Sequence, residues 1–457
     1  MNAAALTSFG RTFQGEVVLP GTAGYDAARI VWNGMIDRRP AAIARCANDE
    51  DVRIAILFAR DHGLPVAVRG GGHSVGGFST CDAGIVIDLS PLRGVEVDPD
   101  ARVARVRGGS LLQQLDAAAQ EHDLVCPVGV VGHTGVGGLT LGGGMGRLQR
   151  HWGYSIDNML AADLVTADGE RIRASDDENP DLFWGLRGAG PNFGVVTSFE
   201  FRLHELGRIV TQGVLIFPPE RAHQVAAWVR EWSPTAPDEV MTSFSFGQAA
   251  SEPPDPPGYE GRPMLYMAVT HSGSPDAADE DLQPLRDLGP LVDTIEPRSY
   301  LEVQGLADED MAWGKRFYMK GAFLAELSDG YVHAGLDAVA RAPSLGATIT
   351  LWLQGGAISR VEPDAMAFAG REAPWWIGVE SEWNGPEHDE AHIEWGRSTM
   401  AAIEPFTAAG HYVNDMVETS DAIVRSVYGD AKYERLRELK RAYDPDNVFR
   451  LNQNIRP

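Results

Sequence analysis

The sequence predicts an α+β protein built in two parts, and three observations carry that prediction. Glycine clusters crowd the stretch from Arg69 to Gly194 and give out after about Leu206. Beyond that point strand-like segments alternate with helical ones, the pattern of a sheet covered by helices. The 457 residues also exceed what one hydrophobic core ordinarily serves. The expected division is 1–206 with 420–457 as one domain and 207–419 as the other.

In the first part, Val52, Ile54, Ala55, Ile56, Phe58 and Ala59 give residues 49–62 a helical spacing, which Gly63 stops. Residues 65–69 read as a short strand running into the first glycine cluster, and 84–89 as a second buried strand. Asp98-Pro99-Asp100 joins 95–97 to 103–106 in a hairpin, and Ala167-Asp168-Gly169 joins 160–166 to 171–174 in another. Between them 110–122 reads as a helix with Ser110 as its N-cap. Residues 194–202 form a closing strand.

In the second part the expected strands are 209–217, 241–246, 264–271, 347–354 and 376–383. The expected helices are 220–232, 275–288, 322–341 and 390–403. The proline-rich run 251–263 is a surface loop, and 420–457 is a helix followed by an extended tail. No internal repeat or low-complexity segment occurs.

Composition narrows the functional classes. Hydrophobic residues make up 44% and charged residues 23%, a globular balance. With 39 Lys plus Arg against 64 Asp plus Glu, the net charge of −25 repels phosphate backbones and anionic lipid heads. Nucleic-acid and membrane partners are therefore not expected. No apolar run is long enough for a membrane span, and residues 1–15 lack a secretory signal, so a cytoplasmic protein is expected. Cys46, Cys81 and Cys126 form neither a disulfide framework nor a zinc pattern. His388 and His392 have metal-compatible spacing but no convincing third ligand, and no metal is expected.

The glycines do not follow the usual nucleotide loops. A G-x-G-x-x-G fingerprint fails at Val75, at Arg147 and at Phe193, and no Walker lysine motif is present. What is present is Arg69-Gly70-Gly71-Gly72-His73-Ser74, followed by Gly76-Gly77. Successive backbone N–H groups in such a loop form a concavity for a pyrophosphate, with His73 at its end. A tight turn with an incidental histidine is the alternative reading of the same residues.

That loop resembles the flavin-attachment loop of the berberine bridge enzyme-like oxidases, within the vanillyl-alcohol oxidase type of FAD proteins. The resemblance continues through Val130-Val131-Gly132-His133-Thr134-Gly135-Val136-Gly137-Gly138, Leu141-Gly142-Gly143-Gly144-Met145-Gly146 and Tyr154-Ser155-Ile156-Asp157-Asn158. It runs on through residues 188–197 and returns in the tail from Tyr443 to Ile455. It covers most of 15–205 and the last 35 or so residues; the central region is similar only loosely. The resemblance implies a PCMH-type, two-lobed FAD-binding domain and an antiparallel-sheet substrate domain covered by helices.

It further implies FAD bonded to His73 through the flavin's 8-methyl carbon. The implied cradle is Arg69, Gly70, Gly71, Gly72, Ser74 and Gly77; Gly132, His133, Thr134, Gly137 and Gly138; Gly142, Gly146 and Asn158; Gly194, Val195 and Val196; and Tyr428, Asn452 and Asn454. His133 occupies the place where the family sets a histidine near the ribityl and pyrimidine side. Doubly linked members present a cysteine to flavin C6. Here the run Cys126-Pro127-Val128-Gly129-Val130-Val131-Gly132-His133 is one residue shorter, so Cys126 is either a second link or a buried free thiol.

The proton acceptor is sought in the second part. Alternation puts Thr348, Thr350, Trp352 and Gln354 on one face of their strand, and Trp376, Gly378, Glu380 and Glu382 on one face of theirs. One face of the sheet packs under helices and the other roofs the flavin. Glu380 or Glu382 is then a general base whose pKa burial raises, or else part of a solvated face. In His411-Tyr412-Val413-Asn414 the family's second tyrosine, a base in several members, is replaced by Asp415. Tyr318, Tyr412 and Tyr428 stay open beside the carboxylates. The readings are an oxidase that passes hydride from a small organic molecule (a secondary metabolite, an alkaloid-like amine, a polyketide or a sugar) to flavin and then to O2, a dehydrogenase with another acceptor, and a flavin-binding protein without turnover. Oligomeric state is not legible.

Overall fold

The computed structural model describes residues 9–11, 13–408, 410–417 and 419–457. Residues 1–8, the start of the expected first domain and of the stretch read for a secretory signal, lie outside them.

Helix Asp49–Asp61 starts at Asn48, whose side chain accepts from the Asp51 amide, and carries three acidic residues in its first turn. Both features complement unpaired amides and the helix dipole. Its buried face, Val52, Ala55, Ile56 and Ala59, covers a four-stranded sheet. That sheet runs Glu16–Val18, Ala42–Arg45, Ile85–Asp88, Val66–Arg69, with its last three strands parallel. A second sheet, all antiparallel, runs Val95–Asp98, Val103–Arg107, Val195–Arg202, Met159–Val165, Arg171–Ser175. Both expected hairpins are in it. The helix between them is shorter than its sequence suggests, Leu112–Gln120, and Ser110 is not its cap. The Ser110 hydroxyl instead closes the hairpin by bonding both backbone groups of Gly94, while the Gln114 side chain accepts from the Leu111 amide.

The second part is one antiparallel sheet of nine strands among the described residues. Its centre runs Ile209–Phe217, Pro263–His271, Val240–Gln248, Ala347–Leu353, Trp375–Trp383, Arg316–Leu324. The last of these corrects the expected 322–341 helix. Arg316–Leu324 pairs along its whole length with Trp375–Trp383, and the helix begins only at Asp329, where the Ser328 hydroxyl accepts from the Tyr331 amide. Ile349, Leu351, Leu353, Ile377 and Val379 lie in one core with helices Ala222–Trp232, Asp329–Val339 and Asp389–Ile403. Each such buried aliphatic contributes about 1.5–3 kcal/mol. The opposite face carries Thr350, Trp352, Trp376 and Glu380, so the sheet has one helix-covered side and one polar, aromatic side.

The C-terminal helix Asp421–Tyr443 breaks at Gly429 (φ 71°) and leads into the tail. Fully buried Lys440 fixes that tail: its Nζ donates to Asp444 Oδ2 (2.7 Å), Phe449 O (2.8 Å) and Asn192 O (2.8 Å). The end of the chain is thereby tied to the 188–195 glycine segment.

Candidate active site

Two glycine loops touch directly. A Cβ on Gly71 would collide with the Gly135 backbone, and one on Gly135 with Gly71. Only glycine permits that approach. A third loop, Gly142–Gly146, presses as closely on Asn414, Tyr412, Ser155 and Val128 O. Gly72 (φ 73°) turns the chain so that His73 leaves the first loop pointing at the second.

His73 Nε2 lies 2.6 Å from His133 Nδ1. Its ring stacks on Trp32 (4.7 Å between centroids), which stacks on Phe317 (4.0 Å). Burial, with a smaller contribution from His133, pushes the His73 pKa down to about 3, so its imidazole is neutral at physiological pH. Its Nδ1 has no partner among the described residues. Asp308 positions the second loop: Oδ1 accepts from the Gly132 amide (2.6 Å) and the Asp308 carbonyl lies 3.3 Å from His133 Nε2.

The polar side of the large sheet lies against these loops at both ends. Phe317 meets Trp32 beside His73, while Phe323 and Trp376 share a cluster with Met145 and Tyr412. Phe317 and Phe323 are six residues apart on one strand, about 20 Å. Between them sits Glu380. Burial first, then repulsion from Glu382, raises its pKa to about 7. It keeps some exposure although protein surrounds it, as a group lining an internal cleft does. Glu382 is raised by burial but engages Lys315 Nζ (3.2 Å).

The tyrosines separate. Tyr318 pairs with Ser381 on the helix-covered face, against Gly396, away from Glu380. The Tyr412 hydroxyl accepts from the Gly144 and Met145 amides (2.9 and 3.3 Å) and from Asn414 Nδ2 (2.9 Å). Burial pushes its pKa up to about 12. It braces the third glycine loop. Tyr428 donates to Gly188 O (3.1 Å).

Other expected site residues divide in the same way. Arg69 is turned inward onto Asp88 (2.7 Å) and Ala28 O (2.6 Å), and Asn158 onto Trp152 O, Tyr154 O and His204. Both side chains are consumed by the protein. Ser74 and Gly77 close one turn, Thr134 O accepts from the Leu112 amide, and Gly137 lies against Gly108 and Phe199. A Cβ on Gly138 would meet nothing within 4 Å. Gly194 packs on Val165, ahead of buried Val195 and Val196. Cys126 is fully buried in the core of Leu112, Leu115 and Val128, and burial with nearby Asp116 pushes its thiol well up. His392 is engaged by Ser381 Oγ (2.6 Å) and stacks on Trp383.

Trp32, Phe317 and Asp308 went unseen in the sequence because they lie outside the glycine motifs or look like ordinary core, and Arg147 stood there only as the residue that breaks a fingerprint. Arg147 follows the third loop, is deeply enclosed, and its Nε has no partner among the described residues. Thr140 Oγ1, Ser198 Oγ, Asn452 Oδ1 and Asn454 Oδ1 are buried and unpartnered in the same sense. Unmet polar atoms along glycine loops are costly unless a ligand satisfies them. A long polar dinucleotide with an aromatic head fits that need, and the arrangement is that of a flavin-dependent oxidoreductase.

Comparison with known proteins agrees. Residues 40–175 match the FAD binding domain family and 411–456 the berberine and berberine-like family. (R)-6-hydroxynicotine oxidase of Paenarthrobacter nicotinovorans is 35% identical over 98% of this chain and 97% of its own. The crystal structure of 6-hydroxy-D-nicotine oxidase from Arthrobacter nicotinovorans superposes with a TM-score of 0.88 at 33% identity, covering 97% of this chain and 98% of that one. Glucooligosaccharide oxidase from Acremonium strictum, with a 6-S-cysteinyl, 8α-N1-histidyl FAD, matches at 0.87 and 25% identity over 99% of each chain. The chain belongs to the berberine bridge enzyme-like FAD-linked oxidoreductases, has their PCMH-type fold and binds FAD. Among the described residues no helix is long and apolar enough to cross a membrane.

Proposed function

We propose that this protein is an oxidase that carries FAD on His73 and oxidises a small organic molecule in the cleft between the glycine loops and the large sheet. The observation that carries the reading is the state of His73: buried, neutral, clamped by Trp32 and His133, with Nδ1 unengaged. A neutral imidazole is the nucleophilic form, and the clamp fixes its direction. Cys126 does not suit a second bond, because its thiol is sealed in the core beside Asp116. We therefore read a single tether.

When bound, FAD supplies a hydride acceptor that dioxygen reoxidises, giving hydrogen peroxide. The glycine loops, Thr140, Arg147, Ser198, Asn452 and Asn454 hold it. Glu380 takes the substrate proton, its pKa near 7 leaving it an effective acceptor at neutral pH. Trp352 and Trp376 orient the substrate, and the sheet keeps bulk water from Glu380. Acid precipitation tests the tether: yellow colour stays with the wild-type polypeptide, stays with Cys126→Ala, and is lost from His73→Ala. Release of all colour from the wild type overturns it. Stopped-flow reoxidation in air tests the oxidase assignment against a dehydrogenase.

A further inference from the structure

Strands Arg316–Leu324 and Trp375–Trp383 set Gly321 directly opposite Gly378 on the cleft side. Each glycine is overlaid by a carboxyl group. Glu380 Oε1 lies 2.7 Å from where a Gly378 Cβ would be, and Asp415 Oδ2 lies closer still to where a Cβ on Gly321 would be. Opposed Cβ positions on neighbouring strands are only about 4.5–5.5 Å apart, so both carboxyls occupy one small volume. Trp376 covers Gly378 and donates from Nε1 to Asp415 Oδ2 (2.9 Å), while Trp352 meets it edge to face at 6.0 Å.

Among the described residues no cation forms an ion pair with either carboxyl. Lys315 is held by Glu382, the His411 ring is bonded to Gly321 O, and the Tyr412 hydroxyl faces the glycine loop. Glu380 has no hydrogen-bond partner among the described residues. Burial raises both carboxyls, with repulsion from Glu380 added at Asp415 and repulsion from Glu382 added at Glu380, and two so close cannot both ionise near neutrality.

We propose that Asp415 and Glu380 hold one proton between them, and that the resulting monoanion, walled by Trp352 and Trp376, is a binding site for the protonated amine of the substrate. Aromatic faces and a single buried negative charge together select an organic cation over a neutral alcohol. The pair then takes the ammonium proton: the N–H bond breaks and both carboxyls are protonated. The freed amine can lose its α-hydrogen as hydride to FAD, becoming an iminium. Dioxygen takes up the two electrons, the hydride's proton and the proton held by the pair, leaving as hydrogen peroxide. The inference rests on Glu380 being the proton acceptor and adds Asp415 and the substrate class.

Calorimetric titration of the holoenzyme with benzyltrimethylammonium, and with its neutral carbon isostere neopentylbenzene, tests the cation site independently of turnover. The cation should bind roughly tenfold or more tightly than the isostere. That preference should collapse in Glu380→Gln and in Asp415→Asn. Infrared difference spectra at about pH 8.5, where Glu380 has ionised, should show a protonated carboxylic acid in the wild type, the proton resting on Asp415. It should vanish in Asp415→Asn; a merely structural role for Asp415 would leave the band in place. Equal affinity for the two probes, or a band that survives Asp415→Asn, overturns the proposal. Equal affinity in a protein that retains its yellow colour through acid leaves the flavin assignment standing, whereas cation preference in a protein that loses its colour does the reverse.

Discussion

His73 and His133 meet nitrogen to nitrogen at 2.6 Å, across the contact between two glycine loops 60 residues apart. One ring must donate and the other accept, so the pair fixes the tautomer of each. Replacing His133 with Ala leaves a buried His73 nitrogen unpaired, at a cost of about 1–3 kcal/mol. We expect a lower unfolding midpoint and slower, incomplete retention of flavin after acid, measured by absorbance of the precipitated polypeptide. Full retention at the wild-type rate would show that His133 does not orient its neighbour.

Gly71→Ala should abolish flavin incorporation without abolishing folding of the second part. Its methyl group would enter the Gly135 backbone, and neither loop has a flexible side chain there to yield. Gly138→Ala is the control, since its Cβ meets open space. Flavin-to-protein ratios of the two purified variants decide the matter; a normal ratio in Gly71→Ala would mean that the loops part easily.

Glu380→Gln should lower the rate of flavin reduction by roughly 10²–10⁴-fold and remove the rise of kcat/KM with pH near 7. Stability should move the other way. The Glu380 pKa is raised from 4.5 to about 7, so the folded protein holds a proton that the unfolded chain gives up. Its favourable contribution is complete below pH 4.5 and is lost as pH rises through 7. Above that the Gln variant should be more stable, by on the order of 1–3 kcal/mol. Denaturant titrations at pH 5 and 8.5 read this crossover; parallel curves would count against it.

Tyr412→Phe deprives the Gly144 and Met145 amides and Asn414 Nδ2 of a shared acceptor, costing about 1–3 kcal/mol. If Tyr412 is a brace and not the proton acceptor, the acid limb of the pH profile keeps its midpoint while thermal stability falls. A vanished limb would return Tyr412 to the chemistry.

The glycine loops were legible because backbone approach leaves a compositional trace: no residue but glycine can stand at Gly71 or Gly135. The helix-covered face of the large sheet was equally plain from the alternation of Ile349, Leu351 and Leu353. Arg316–Leu324 was not, because Lys320 and Gly321 interrupt its alternation and its apolar end, Ala322 to Leu324, runs on into a helix close behind it. Ser110 misled for a different reason: a hydroxyl before a helix has more than one backbone to serve, and here the hairpin claims it. Asp415 showed itself only as a departure from the tyrosine of related chains. Its partnership with Glu380 depends on the register of two strands, which no single segment encodes.

Lys440 carries a consequence for cofactor retention. The knot it makes with Asn192, Asp444 and Phe449 ties a glycine loop to a segment 248 positions further along the chain. Breaking it by Lys440→Met should cost about 3–5 kcal/mol. Asn452 and Asn454, whose buried side-chain oxygens are unpartnered among the described residues, follow directly on this clasp. Loosening the clasp should therefore also lower the flavin-to-protein ratio of the purified variant.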